Sequence, residues 1–315
     1  MSVSMAALNK PNQSLPYGLI PVMLTPFTET GQVDYPALDQ LTDYYLTAGA
    51  AGLFANCLSS EMYELTDPER LAVTGHVVRQ AAGHVPVVAT GTFGGPVTQQ
   101  ADFVKRIYAT GVQAVIIITS QLVGPEESND VFLDRIGTLM ELTPGVPLGL
   151  YECPAPYKRL VNADILAELL PTGRLIYHKD TSLDIREVQR RLEVARGYTF
   201  GLYDAYMVNA VASLRAGAAG LSCIQGNIFP QLLSWLCNHV NHPDRREEVD
   251  QVQRLLLKSM DLVHSAYPTI AKYALQKQGL PMTTYTRRQV EPLTTTLCAG
   301  IDQLLTEVQT LEKSL

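Results

Sequence analysis

A (β/α)8 barrel with a C-terminal helical extension is the fold this sequence predicts, and three observations carry the prediction. From Gly18 onward, short apolar runs of strand length alternate with longer stretches of helical spacing. The runs are apolar throughout, which marks strands buried on both faces, as in a parallel sheet. They number eight, and strand-helix units of about 25 to 30 residues repeated that often close into a barrel.

The first run, 19–25 (LIPVMLT), precedes the amphipathic stretch 35–48. The second, 52–56 (GLFAN), leads to a helix at 67–81, where Thr66-Asp67-Pro68-Glu69 joins a capping hydroxyl to a proline in the first turn. The third, 85–90 (VPVVAT), and fourth, 114–119 (AVIIIT), are followed by helical spacing at 97–109 and 129–142. The fifth, 147–151 (PLGLY), and sixth, 175–179 (LIYHK), are followed by 163–169 and 184–194. The seventh, 199–203 (TFGLY), and eighth, 220–224 (GLSCI), are followed by 207–216 and 229–240. An open doubly wound sheet is the rival architecture, but its first turn usually carries a glycine-rich phosphate loop, and here that turn reads TPFTETG. Beyond His242 no strand signal remains, and 243–315 reads as three helices appended to a barrel at 16–242.

Composition narrows the function. The 315 residues, 46% hydrophobic and 17% charged, suffice for one large or two modest domains with a sizeable core. Only 24 Lys and Arg stand against 31 Asp and Glu, for a net charge of −7, which argues against a nucleic-acid partner. The longest apolar runs fall far short of the roughly 20 residues that cross a bilayer, so no membrane partner is expected. Five scattered cysteines without a CxxC pair are expected to be free thiols in a reducing compartment. Residues 1–15 lack a sustained apolar core and read as a flexible lead-in to a cytoplasmic protein.

In a barrel the chemistry sits where strands end. Lys179 ends the sixth run, where burial would disfavour the ammonium and leave an amine able to form a Schiff base with a carbonyl substrate. The plain alternative is an ion pair with Asp180 or another acidic group at a strand end. Tyr151 ends the preceding run, within reach of Lys179 as a proton shuttle, or else as an amphipathic cap on the core. Cys57-Leu58-Ser59-Ser60-Glu61 follows the second run, and its amides and hydroxyls suit a carboxylate, although a simple strand-helix turn has the same composition. Ser222, at the end of the eighth run, completes the candidate substrate contacts. The Thr90–Gly95 glycines and the Cys237, His239, His242 set read as an ordinary loop and a solvated helix end. His178 should point away from the interior if Lys179 faces it.

These residues together resemble the dihydrodipicolinate synthase / N-acetylneuraminate lyase family of class I aldolases, from about Pro16 to the C-terminus. The segment GLIPVMLTPFTETGQVDYPALDQLTDYYLTAGAAGLF is similar to the family's opening strand, helix and second strand. Leu65-Thr66 with Glu69-Arg70 resembles the stretch after its substrate loop. Tyr151-Glu-Cys-Pro154 resembles the motif of the catalytic tyrosine, and His178-Lys179-Asp180 that of the Schiff-base lysine. The resemblance implies a barrel, usually a homotetramer, that binds pyruvate or another 2-oxo acid as an imine and makes or breaks a carbon-carbon bond or eliminates water. It implies no cofactor or metal.

Departures bear on the substrate. The family's hydroxyl-bearing loop stands here as Cys57-Leu58-Ser59-Ser60-Glu61, so Leu58 supplies no relay hydroxyl. Leu122 occupies the place of the relay tyrosine and Pro156 that of a carboxylate-binding arginine, with Lys158 and Arg159 nearby. Lysine biosynthesis is therefore disfavoured. Leu58, Leu122 and Val123 suggest a pocket apolar enough for a hydrophobic or aromatic aldehyde. The sequence reading is thus a Schiff-base lyase acting on a small 2-oxo acid or 2-keto-3-deoxy sugar acid, as a homo-oligomer of two or four chains. Its rival is a non-catalytic member that binds a small oxo acid.

Overall fold

A computed structural model describes residues 15–315; the lead-in expected at 1–15 lies, apart from the buried Leu15, outside the described residues. The strands are β1 (Gly18–Leu19), β2 (Leu53–Ala55), β3 (Val87–Thr90), β4 (Ala114–Ile118), β5 (Leu148–Tyr151), β6 (Leu175–Asp180), β7 (Gly201–Asp204) and β8 (Gly220–Leu221). All pairings are parallel, in the order β1-β8-β7-β6-β5-β4-β3-β2. The two ends of that order meet through a bridge between Val22 and Phe54, where the Phe54 N–H donates to Pro21 O and the Met23 N–H to Phe54 O, both at 3.0 Å. The sheet therefore closes on itself, as the eight-fold pattern predicts.

Helices α1 (Tyr35–Thr47), α2 (Asp67–Ala81), α3 (Val97–Tyr108), α4 (Asn129–Leu142), α5 (Ala163–Leu169), α6 (Ile185–Val194), α7 (Ala210–Arg215) and α8 (Pro230–His239) follow the strands in turn. Alternation along each strand sorts its side chains into two cores. Val22, Phe54, Val88, Ile116, Ile118, Tyr177 and Tyr203 fill the interior, whereas Leu53, Ala89, Val115, Ile117 and Leu150 pack outward with Ile107, Phe132 and Ile136 of the helices. The Thr66 box forms at the start of α2, with the Thr66 N–H donating to Glu69 Oε2 at 2.9 Å.

Two strands, β1 and β8, are only two residues long, far shorter than their apolar runs. Pro21 has no N–H to continue the β1 ladder, and β8 gives way to a 3-10 turn at Ile224–Asn227. At their pairing the backbones touch: a Cβ on Gly220 would lie 1.7 Å from the Gly18 carbonyl oxygen, so only glycine fits there. Helix α7 starts at Ala210 rather than 207, because the Tyr206 N–H is held by Asp204 Oδ1 at 2.8 Å in a turn. The C-terminal segment carries α9 (Arg246–His264), α10 (Thr269–Lys277) and α11 (Thr295–Glu312).

Candidate active site

Tyr151 and Lys179 are register partners at the ends of β5 and β6, so the alternation that buries Tyr177 aims both into the barrel. Lys179 is 4% exposed. Its Nζ lies 4.4 Å from the centre of the Tyr151 ring and 5.9 Å from that of Phe54. Burial pushes the amine below the ordinary lysine range, against the opposing pull of the Cys57, Cys153 and Cys223 thiols. Burial first, and then the Cys153 and Cys57 thiols, push the Tyr151 phenol well above its usual value. The floor of the barrel thus holds an amine whose charged form burial disfavours, beside a phenol that keeps its proton.

The strand ends are fixed from outside by a buried ion cluster. Alternation sends the Asp180 carboxylate away from Lys179, which answers the question of their pairing: Asp180 accepts from Arg191 of α6 and from the Ser182 N–H at 2.8 Å. Arg191 Nη2 also donates to Glu152 Oε1 at 2.7 Å, and all three side chains are essentially inaccessible. Glu152 in turn accepts the Val161 and Thr181 N–H groups at 2.8 and 2.9 Å. Burial acts to raise the Glu152 carboxyl, but His178 at 3.6 Å, the Arg191 charge and the Thr181 N–H together hold it well below the usual carboxylate range. Because Glu152 follows Tyr151 and Asp180 follows Lys179, this cluster sets the backbone from which both of those side chains enter the barrel. His178 lies on the outer face, as alternation requires, with its ring against Phe200.

After β2 the chain makes a 3-10 turn at Leu58–Ser60, flanked by Asn56 and Glu61 in left-handed backbone at φ 53° and 57°. The Ser60 N–H donates to Cys57 O at 3.0 Å and the Ser60 hydroxyl to Met23 O at 2.6 Å. Leu58 and Ser59 are the first residues of the turn, and their N–H groups have no backbone acceptor among the described residues. The Ser59 hydroxyl faces the phenol of Tyr267, which receives the Asn227 amide at 2.7 Å.

A cavity of about 250 Å³ opens above the Lys179 amine. Leu58, Ser59, Tyr151 and Lys179 line it, so the structure brings together four of the six residues expected at the site. Two expectations are corrected. Ser60 is turned away, its hydroxyl and N–H engaged as above. Ser222 lies below the cavity, its hydroxyl donating to Ile20 O at 2.9 Å and accepting from Tyr177 at 2.9 Å; its neighbour Cys223 lines the wall instead. Leu122 and Val123 pack in the outer core, so the apolar lining comes from Leu58, Leu183 and Ile224. Arg159 is tied to the chain just before α4, donating to Glu127 O and Ser128 O at 3.0 Å, whereas Lys158 reaches the rim, its Nζ on Thr181 O at 2.8 Å. The Thr90–Gly95 loop does not reach the cavity, and His239 stacks on Trp235 instead of joining a ligand set.

The sequence reading missed what the C-terminal segment contributes: His264, Tyr267 and Arg288 all line the cavity. Its anchor is Glu61, whose Oε1 pairs with Lys272 of α10 at 2.7 Å, both side chains fully buried. Glu61 Oε2 accepts the backbone N–H groups of Arg287 and Arg288 at 2.6 and 2.9 Å. The Arg287 guanidinium donates to Glu69 at 2.6 and 2.8 Å. The one available signal was Glu61 itself, an acidic residue ending an otherwise uncharged strand-end loop.

Comparison with known proteins agrees with this geometry. The model of the Dihydrodipicolinate synthetase family matches residues 15–308. Curated relatives include the 4-hydroxy-tetrahydrodipicolinate synthase of Oceanobacillus iheyensis, 24% identical and covering 84% of this chain and 88% of its own. That of Laribacter hongkongensis is 26% identical over 83% of this chain and 88% of its own. Among solved structures, the E. coli prophage protein YagE in complex with pyruvate superposes with a TM-score of 0.84 at 21% identity, over 93% of this chain and 98% of that one. The chloride-inhibited dihydrodipicolinate synthase of Acinetobacter baumannii, also complexed with pyruvate, gives 0.83 at 19% identity, over 93% and 99%. At such identities the structures speak for the fold. None of the helices is long and apolar enough to cross a membrane, among the described residues.

Proposed function

Since the chain belongs to the dihydrodipicolinate synthetase family, we propose that it is a class I lyase that binds a 2-oxo acid such as pyruvate as an imine on Lys179. The observation that carries the reading is the buried Lys179 amine, held against the Tyr151 ring on the floor of an open cavity. The Lys179 nitrogen adds to C2 of the oxo acid, and water leaves to give the imine. Loss of a C3 proton gives an enamine. In synthesis C3 attacks an aldehyde carbon, the new alkoxide takes a proton, and water then releases the product from Lys179. Cleavage runs the same steps in reverse, and dehydration expels a hydroxyl as water from the imine-bound substrate.

Tyr151 enters as a phenol, since its proton is tightly held, and gives and regains that proton during imine formation and carbon-carbon chemistry. The Leu58 and Ser59 N–H groups with the Ser59 hydroxyl receive the carboxylate adjoining the imine carbon. An assembly of two or four chains, without cofactor or metal, belongs to the same reading.

Borohydride trapping with pyruvate, followed by peptide mass spectrometry, tests it. The expected result is a pyruvate-sized adduct on Lys179 that is absent from Lys179→Ala. No adduct with pyruvate or with longer 2-oxo acids would overturn the lyase reading in favour of an oxo-acid binder.

A further inference from the structure

Tyr267, between α9 and α10, lines the cavity, and the steps of the imine chemistry do not use it. Its surroundings fix the direction of the hydrogen bond it receives. Asn227, fully buried in the 3-10 turn after β8, donates from Nδ2 to Val22 O at 2.9 Å. A carbonyl oxygen only accepts, so this contact decides which end of the amide carries the hydrogens. The other end, Oδ1, accepts from the hydroxyl of the buried Tyr45 at 2.6 Å. Asn227 Nδ2 is therefore also the donor in its 2.7 Å contact with Tyr267, and the Tyr267 oxygen accepts.

An accepting phenol keeps its own hydrogen for another partner. Burial, first among the influences on Tyr267, pushes its ionisation far above the usual phenol range, so that hydrogen stays in place. The hydroxyl it faces is that of Ser59, a residue 4% exposed at the cavity wall. With Ser59 Oγ accepting from Tyr267, the Ser59 hydrogen is turned to the cavity side. There it joins the Leu58 and Ser59 N–H groups, which have no backbone acceptor among the described residues. One short turn thus offers three donors.

We propose that Tyr267 is a positioning residue that, held by Asn227, locks the Ser59 hydroxyl as a donor toward the substrate carboxylate. A carboxylate oxygen only accepts, whereas an amide nitrogen presents hydrogens, so the locked hydroxyl selects 2-oxo acids over their amides. This inference rests on the lyase reading for the imine that sets the carboxylate beside Ser59.

The test follows the pyruvate half-saturation of the borohydride trap in Tyr267→Phe, Ser59→Ala and the double variant. Tyr267→Phe should raise it about 3- to 10-fold at an unchanged maximal adduct. In the Ser59→Ala background the same substitution should add nothing further. An unaltered half-saturation in Tyr267→Phe, or losses that multiply in the double variant, would overturn the proposal. Pyruvamide reads the polarity of the hydroxyl. Tyr267→Phe frees Ser59 to turn and accept, and should narrow the preference for pyruvate over pyruvamide about 3- to 10-fold; a purely structural role weakens both ligands alike, and an unchanged preference would overturn the lock. Calorimetry with pyruvate on the same proteins separates the two readings, because it registers binding with or without an imine. A failed trap with an affinity that falls in Tyr267→Phe, but no further in the Ser59→Ala background, overturns only the lyase. A working trap without that coupling overturns only the role of Tyr267, and neither adduct nor heat of binding overturns both.

Discussion

Asparagine in place of Asp204 should change how stability depends on pH. Asp204 is fully buried at the end of β7. Its Oδ1 accepts the Tyr206 N–H at 2.8 Å, but its Oδ2 has no hydrogen-bond partner, and its register partner on β6 is the acidic Asp180. Burial first, and then the Asp180 charge, raise its carboxyl from 3.8 to about 7, against the pull of the Tyr206 N–H, Ser213 and Arg191. A raised carboxyl means that the folded state holds a proton the unfolded state has released. Stability is therefore unaffected below the unfolded value and falls as pH rises between the two, reaching its full loss above about 7. The shift is about 3 units, or about 4 kcal/mol at 1.36 kcal/mol per unit. The substituted amide keeps an acceptor for the Tyr206 N–H and has no proton to lose. Urea unfolding of both proteins at pH 4.5 and 8 should show wild type losing about 3 kcal/mol relative to Asp204→Asn over that interval. A relative change below about 1 kcal/mol would refute the argument.

Three further outcomes follow from the same structure. Tyr151→Phe should still form the trapped adduct on Lys179, more slowly, while turnover falls about 10²- to 10⁴-fold, measured by steady-state kinetics; full activity would remove Tyr151 from proton transfer. Arg191→Leu leaves the buried Glu152 and Asp180 carboxylates without their cation, and should cost about 3–5 kcal/mol in urea unfolding. Adding Glu152→Gln should recover part of that loss, since one of the two stranded charges goes with it. Glu61→Gln strands Lys272, fully buried, and should destabilise by about 3–5 kcal/mol; hydrogen exchange should speed up at the Arg287 and Arg288 amides more than in β4, and uniform acceleration would count against a local anchor.

How much of this protein its sequence determines depends on the range of the signal. Strand runs such as AVIII in β4 and the capping box at Thr66 are written in neighbouring residues, because burial on both faces and helix termini impose local patterns. Lys179 and Tyr151 were legible for the same reason, since each ends a run and parallel register places strand ends side by side. The tertiary structure alone decided the rest. Arg191 reaches Glu152 across 39 positions, and Glu61 reaches the Arg288 amide across 227. No local period encodes such pairs; they arise only when the barrel closes and the C-terminal segment folds back over its mouth. Ser60 and Ser222 show the converse: hydroxyls at strand ends look available in sequence, but closure supplied Met23 O and Ile20 O as acceptors, and a buried hydroxyl takes the partner that packing brings.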